Sequence, residues 1–144
     1  MIAAYWQRLD SDDLATRIAA AEAWLGWEDN AATLVHDVDA VSSADPLATL
    51  AKARIEAHYF RHHAFLEHAQ LLRDIDRIRH LPGVIVQGRY DIICPARSAW
   101  ELACAWPEAR LEMVLAGHGA TEPATADALV RATDAFADRI GRPG

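Results

Sequence analysis

The spacing of apolar positions along this chain changes once, at Leu81-Pro82-Gly83, and that change divides what the sequence predicts. Before it the spacing is helical. Ser11 is a fair N-cap, and Asp12 and Asp13 suit the positively polarised first turn. Leu14, Ile18, Ala21 and Leu25 then recur at intervals of three and four, predicting a helix over about residues 12–29. Asp45-Pro46 is a second start signal, a cap residue followed by proline at the first helical position. Leu47, Leu50, Arg54, Ile55 and Tyr59 carry that helix to about Phe60. Residues 61–68 read as a polar, His-rich connection with Phe65-Leu66 inside it. Leu71, Leu72, Ile75 and Ile78 predict a short helical piece that ends before Pro82. No stretch of residues 1–78 predicts a strand.

After the junction the pattern alternates: a strand over 84–87, a helix over about 96–105, a strand over 111–115 and a helix over about 125–139. Val84-Ile85-Val86 is the β-branched run of a buried parallel strand. Strands alternating with helices imply a parallel sheet, so the fold class is α/β. Two parallel strands alone leave faces and edges uncovered, and the segment reads as the end of a larger sheet. Two or three helices without a sheet make a poor isolated domain but a good cap over an active site. The expected division is therefore a helical cap over residues 1–78 and a sheet-bearing part over residues 79–144.

The candidate chemistry follows the two strands. The first stops at Gly88-Arg89-Tyr90-Asp91, and Gly117-His118-Gly119 follows the second. Open α/β sheets keep functional side chains at the C-terminal ends of their strands. An acid after one strand and a histidine after the next are the last two members of a Ser…Asp…His triad in α/β-hydrolase order. There the carboxylate orients the imidazole and the imidazole moves the nucleophile's proton. The plainer alternatives are an Asp91 that caps the next helix and a His118 that is simply solvated. A nucleophile elbow needs Gly-x-Ser-x-Gly on a strand-to-helix turn. None of Ser11, Ser42, Ser43 and Ser98 sits in such a setting, and there is no His-Gly-Gly type oxyanion loop. Cys94 is a substitute candidate, with packing beneath the site as a small apolar residue the alternative. His58 and His62 are four apart and could share a helix face near His63 and His68, but a further ligand at defined spacing is missing. A solvated polar face is expected, with no metal and no cofactor.

Composition narrows the class further. The apolar share of 52% is ample for a core, although alanine inflates it. No run of about 18 apolar residues exists, so no membrane span is expected, and no basic region precedes an apolar core at the N-terminus. Cys94 and Cys104 give neither a metal spacing nor a disulfide framework, which makes the cytoplasm the expected compartment. A net charge of −7 argues against nucleic acid as a partner and is compatible with a cationic ligand.

The wording around the two strands goes beyond spacing. His80-Leu81-Pro82-Gly83, Gly88-Arg89-Tyr90-Asp91, Cys94-Pro95, Ala99-Trp100, Ala105-Trp106-Pro107-Glu108-Ala109, Ala116-Gly117-His118 and Glu122-Pro123 resemble the C-terminal part of the proline iminopeptidases, serine aminopeptidases of the α/β-hydrolase fold. The resemblance is specific over about residues 78–136, looser before that, and begins in the middle of that family's chain. Family members usually carry Ser where Gly119 stands. The resemblance implies a partial α/β-hydrolase fold, Asp91 and His118 as catalytic residues, and release of N-terminal proline from a peptide substrate. It matches Glu28 and Glu56 to cap carboxylates that hold the substrate's free α-amine. Trp27, Tyr59 and Phe60 could line the pocket for a proline ring; at helical spacing they could equally be plain core. The missing nucleophile leaves two alternatives open beside the family's activity: an inactive remnant or binding module, and one chain of a split hydrolase completed by another chain. Separately, the unpaired sheet edge predicts that the chain self-associates.

Overall fold

The structure, a computed structural model, describes residues 1–35 and 45–141 and divides into two compact units. One is made of Met1–Asn30 and the described part of His36–Gln70. The other is made of Ala31–Val35 and the described part of Leu71–Gly144.

The first unit is helical. Helix α1 spans Ile2–Leu9, α2 spans Leu14–Ala32 (its last two residues fall in the other unit) and α3 spans Pro46–Arg61. The sequence reading missed α1, which has only Met1 at its N-cap and no side-chain capping bond. Its signal lies in Tyr5, Trp6 and Leu9, which share one face at helical spacing. Helix α2 is capped by Asp13 rather than Ser11. Asp13 Oδ2 accepts from the Thr16 N–H at 2.9 Å and from Thr16 Oγ1 at 2.6 Å, while Ser11 Oγ accepts only from the Asp13 N–H. The Asp45-Pro46 signal works as expected, with Asp45 Oδ1 accepting from the Leu47 N–H at 3.2 Å. The core of the unit joins Leu9, Leu25 and Leu50 with Ala20, Ala21, Ala53 and Ala57, and Trp6 and Trp24 pack against it. Small alanines let helix backbones approach, so the apolar area per residue is modest and Leu9 is the largest fully buried side chain.

The 61–68 connection is not featureless. A 3₁₀ turn spans His63–Phe65, with positive φ at His63, Ala64 and Phe65 and again at Ala69. Left-handed backbone at three successive residues that are not glycine costs conformational energy. It is accompanied by ring packing: His62 stacks on Phe65 at 5.3 Å, and His58 lies 4.6 Å from His62.

In the second unit, the helical piece expected over 71–78 is broken in two, α4 at Gln70–Arg73 (its first residue falls in the other unit) and a 3₁₀ turn at Ile75–Arg77. Strand β1 spans Gly83–Gly88, helix α5 Ala96–Ala105, strand β2 Ala109–Val114 and helix α6 Pro123–Ile140. The strands pair in parallel with Gly83 opposite Ala109 and Gly88 opposite Val114, and both α5 and α6 pack on them. Strands and helices thus alternate as the sequence predicts. The strands are half-buried rather than fully enclosed, because two strands are all that the described residues contribute to the sheet. Arg131 on α6 reaches Glu112 on β2 at 2.6 Å and also pairs with Asp127. Among the described residues no helix is long and apolar enough to cross a membrane.

Candidate active site

Strands β1 and β2 end side by side, and the turns that follow them are stitched together. The Arg89 N–H donates to Val114 O at 2.9 Å, and the Tyr90 N–H to Ala116 O at 3.0 Å. The contact is so close that a Cβ built on Gly88 would lie 1.8 Å from Gly117 O, so only glycine fits without moving the second turn.

This stitching brings Asp91 and His118 together across 27 residues, with His118 Nδ1 3.0 Å from Asp91 Oδ2. The Asp91 side chain is 6% exposed and that of His118 is 36% exposed. Asp91 is held from several directions. Its Oδ1 accepts from the Ile93 N–H at 2.9 Å and the Cys94 N–H at 2.7 Å. Gln87 Nε2 donates to Oδ2 at 3.3 Å and to Cys94 O at 3.0 Å. Asp91 therefore caps its own turn but not helix α5, whose N-cap position is Pro95. Burial pushes the Asp91 carboxyl up, but the Cys94 N–H, the His118 ring and the Ile93 N–H outweigh it and hold the group below the usual carboxylate range. An ionised carboxylate only accepts, so Nδ1 must be the donor, and in the neutral ring Nε2 is left with a free lone pair.

The turn bearing His118 is fixed from its other side. The His118 and Gly119 N–H groups both donate to Ala32 O at 2.7 Å. Glu122 Oε1 accepts from the Gly117 N–H at 2.7 Å, and its Oε2 from the Leu34 N–H at 2.9 Å.

Cys94 is exposed, not packed beneath the site as expected. Partial shielding and then the Asp91 charge push its thiol up, which leaves it a poor nucleophile. Ser42 and Ser43 lie outside the described residues; Ser11 stands in the α1–α2 turn and Ser98 in the first turn of α5.

In the first unit, α2 and α3 bring Glu28 and Glu56 into contact, both partly buried. Burial, then the hydrogen bond and the charge of Glu56, push the Glu28 carboxyl up. Trp24 Nε1 donates to Glu56 Oε2 at 3.0 Å, and Lys52 Nζ lies 3.7 Å from Glu56 Oε1. Trp27, Tyr59 and Phe60 do not belong to the core: all three are at least half exposed. Phe60 leans on Trp24 at 6.1 Å, and Tyr59 meets Phe65 edge-on at 5.5 Å. His58 and His62 stay in their aromatic stack, and no group of three or more side chains suited to a metal occurs among the described residues.

Sequence reasoning missed Gln87 and Glu122. Gln87 had a signal, since it interrupts an apolar run just before Gly88. Glu122 precedes Pro123 and reads as a helix cap, but its side chain makes no capping bond and turns instead to Leu34, 88 residues away.

No protein-family model matches the chain. A proline iminopeptidase of Xanthomonas citri is 54% identical over 140 residues, 95% of this chain and 45% of its own. One from Xylella fastidiosa is 52% identical over 94% of this chain and 44% of its own. One from Arabidopsis thaliana is 46% identical over 98% of this chain and 38% of its own. The chain spans less than half the length of these curated relatives, and over nearly all of its own length it is a relative of the proline iminopeptidases.

Proposed function

We propose that this chain carries the acid–base half of a serine aminopeptidase that releases N-terminal proline, on a partial α/β-hydrolase fold. In this reading residues 1–78 are the cap and residues 79–144 the C-terminal part of the catalytic domain. The supporting observation is the His118 Nδ1 to Asp91 Oδ2 contact of 3.0 Å at the ends of adjacent parallel strands. Asp91 fixes the ring so that Nε2 takes the proton of a serine hydroxyl as it attacks the prolyl carbonyl. The imidazolium then gives that proton to the departing amine. A water, deprotonated by the same nitrogen, releases proline from the acyl-enzyme. Glu28 and Glu56 take the substrate's free ammonium: paired carboxylates in partial burial attract one cation and disfavour a blocked N-terminus.

These 144 residues contain no Gly-x-Ser-x-Gly, so the serine and its oxyanion donors must come from outside them. The chain alone should not hydrolyse a proline arylamide above background. Turnover that survives His118→Ala would refute the assignment. The same lack favours a second reading, a non-catalytic module that binds peptides by their free amine. In that case prolinamide would move the Trp24 indole N–H resonance, and no added chain would bring turnover.

A further inference from the structure

We infer that Glu122 is the positioning residue for the His118 imidazole; the inference rests on the acid–base reading of Asp91 and His118. Three successive amides form the turn that carries His118, and all three are held. The His118 and Gly119 N–H groups share Ala32 O at 2.7 Å each, and the Gly117 N–H donates to Glu122 Oε1 at 2.7 Å. The other oxygen, Oε2, accepts from the Leu34 N–H at 2.9 Å. One carboxylate therefore ties the turn to the segment that supplies its remaining acceptor, Ala32 O. Glu122 itself stays close through its own N–H, which donates to Gly119 O at 3.2 Å. Hydrogen bonds donated to a charged acceptor are the stronger kind.

The consequence reaches the ring. His118 is anchored to Asp91 through Nδ1, and its side chain is 36% exposed. The held backbone of the turn sets where the ring starts and so how Nδ1 meets Asp91. If the Gly117–Gly119 turn loosens, Nδ1 loses its alignment with Asp91 Oδ2, and the ring relaxes toward the Nε2–H tautomer that imidazole prefers in water. In that tautomer the nitrogen needed as base already carries a proton. Glu122 touches no reacting atom and acts through the turn.

Glu122→Gln is the sharpest test, because it keeps size and shape. An amide offers one acceptor oxygen and two donors, so it can satisfy either Gly117 or Leu34 and must turn an N–H toward the other. The readout is the two-bond proton–nitrogen spectrum of the His118 ring in the ¹⁵N-labelled full chain above pH 8, with amide exchange measured alongside. The parent chain should show predominantly the Nδ1–H form. Asp91→Asn should lose it, which tests the pairing itself. Glu122→Gln should lose the predominance of the Nδ1–H form and speed exchange of the Gly117 or Leu34 amide roughly fivefold to tenfold, the effect of one lost hydrogen bond. Glu122→Asp, too short to span both donors, should do the same. A parent-like tautomer ratio in folded Glu122→Gln and Glu122→Asp, with Asp91→Asn still disruptive, overturns the inference and leaves the pairing standing. A parent spectrum that Asp91→Asn does not change overturns both.

Discussion

Gly88→Ala is the smallest change that should separate Asp91 from His118. The added methyl would sit 1.8 Å from Gly117 O, where carbon and oxygen need about 3.0 Å, so the two turns must part by more than 1 Å. None of the described glycines has a positive φ, so alanine meets no backbone penalty at this position. In an extended strand it should even gain about 0.5–1 kcal/mol over glycine. Against that gain stand an overpacking cost of about 1–3 kcal/mol and about 1 kcal/mol for the Tyr90–Ala116 bond that the separation strains. The clash wins, with a net loss of about 1–3 kcal/mol in the second unit. With a urea slope of about 1 kcal/mol per molar for so small a unit, the midpoint should fall by about 1–3 M. The assay is urea unfolding followed on resonances of β1 and β2, with the His118 ring tautomer read in the folded baseline. An unchanged midpoint together with a parent-like ring spectrum would show that the close approach of Gly88 and Gly117 does not position the pair.

In the first unit, Leu9→Ala should cost about 2–5 kcal/mol, the range for a fully buried leucine, because the surrounding alanines cannot lengthen to fill the void; thermal unfolding measures it. Glu28 has its folded pKa raised above the unfolded value of 4.5, so its contribution is most favourable below that pH and declines as pH rises through the folded value. Glu28→Gln should therefore match the parent near pH 4 and be the more stable protein at pH 7 in parallel melts. Asp91 has its folded pKa lowered, so its stabilisation is complete above the unfolded value of 3.8 and is lost as pH falls through the folded one. Asp91→Asn should flatten that acid limb of the stability curve. The half-buried strands and the exposed Leu115, Ile92 and Trp100 predict self-association in analytical ultracentrifugation, and a sharp monomer boundary would argue against it.

What could be read in the sequence was whatever local chemistry decides. Val84-Ile85-Val86 and the stop at Gly88 mark a strand and its end, and Asp45-Pro46 marks a helix start, because each depends on neighbours in the chain. Asp91 and His118 were legible because their positions after successive strands force them to one sheet end. Helix α1 was not, since it has no capping residue and is stabilised by burying Leu9. The left-handed residues His63, Ala64, Phe65 and Ala69 carry no glycine to announce them. Glu28 and Glu56 were matched by resemblance, but their contact and the raised Glu28 carboxyl arise from how α2 packs on α3. Glu122 is the extreme case: its partners Gly117 and Leu34 are backbone amides, which no side-chain pattern encodes.

Reconstitution tests the central claim most directly. The chain would be mixed with a separately produced segment of the Xanthomonas citri relative comprising everything outside the part this chain matches, and proline arylamide hydrolysis followed. The account predicts activity absent from either piece alone. Asp91→Asn should lower its turnover by roughly 10⁴-fold with little change in substrate binding, and His118→Ala should abolish it. Glu28→Gln and Glu56→Gln should instead raise KM and erode discrimination against N-blocked substrates. Restored activity that is indifferent to His118→Ala would contradict the account, as would a folded, associated complex with no activity at all.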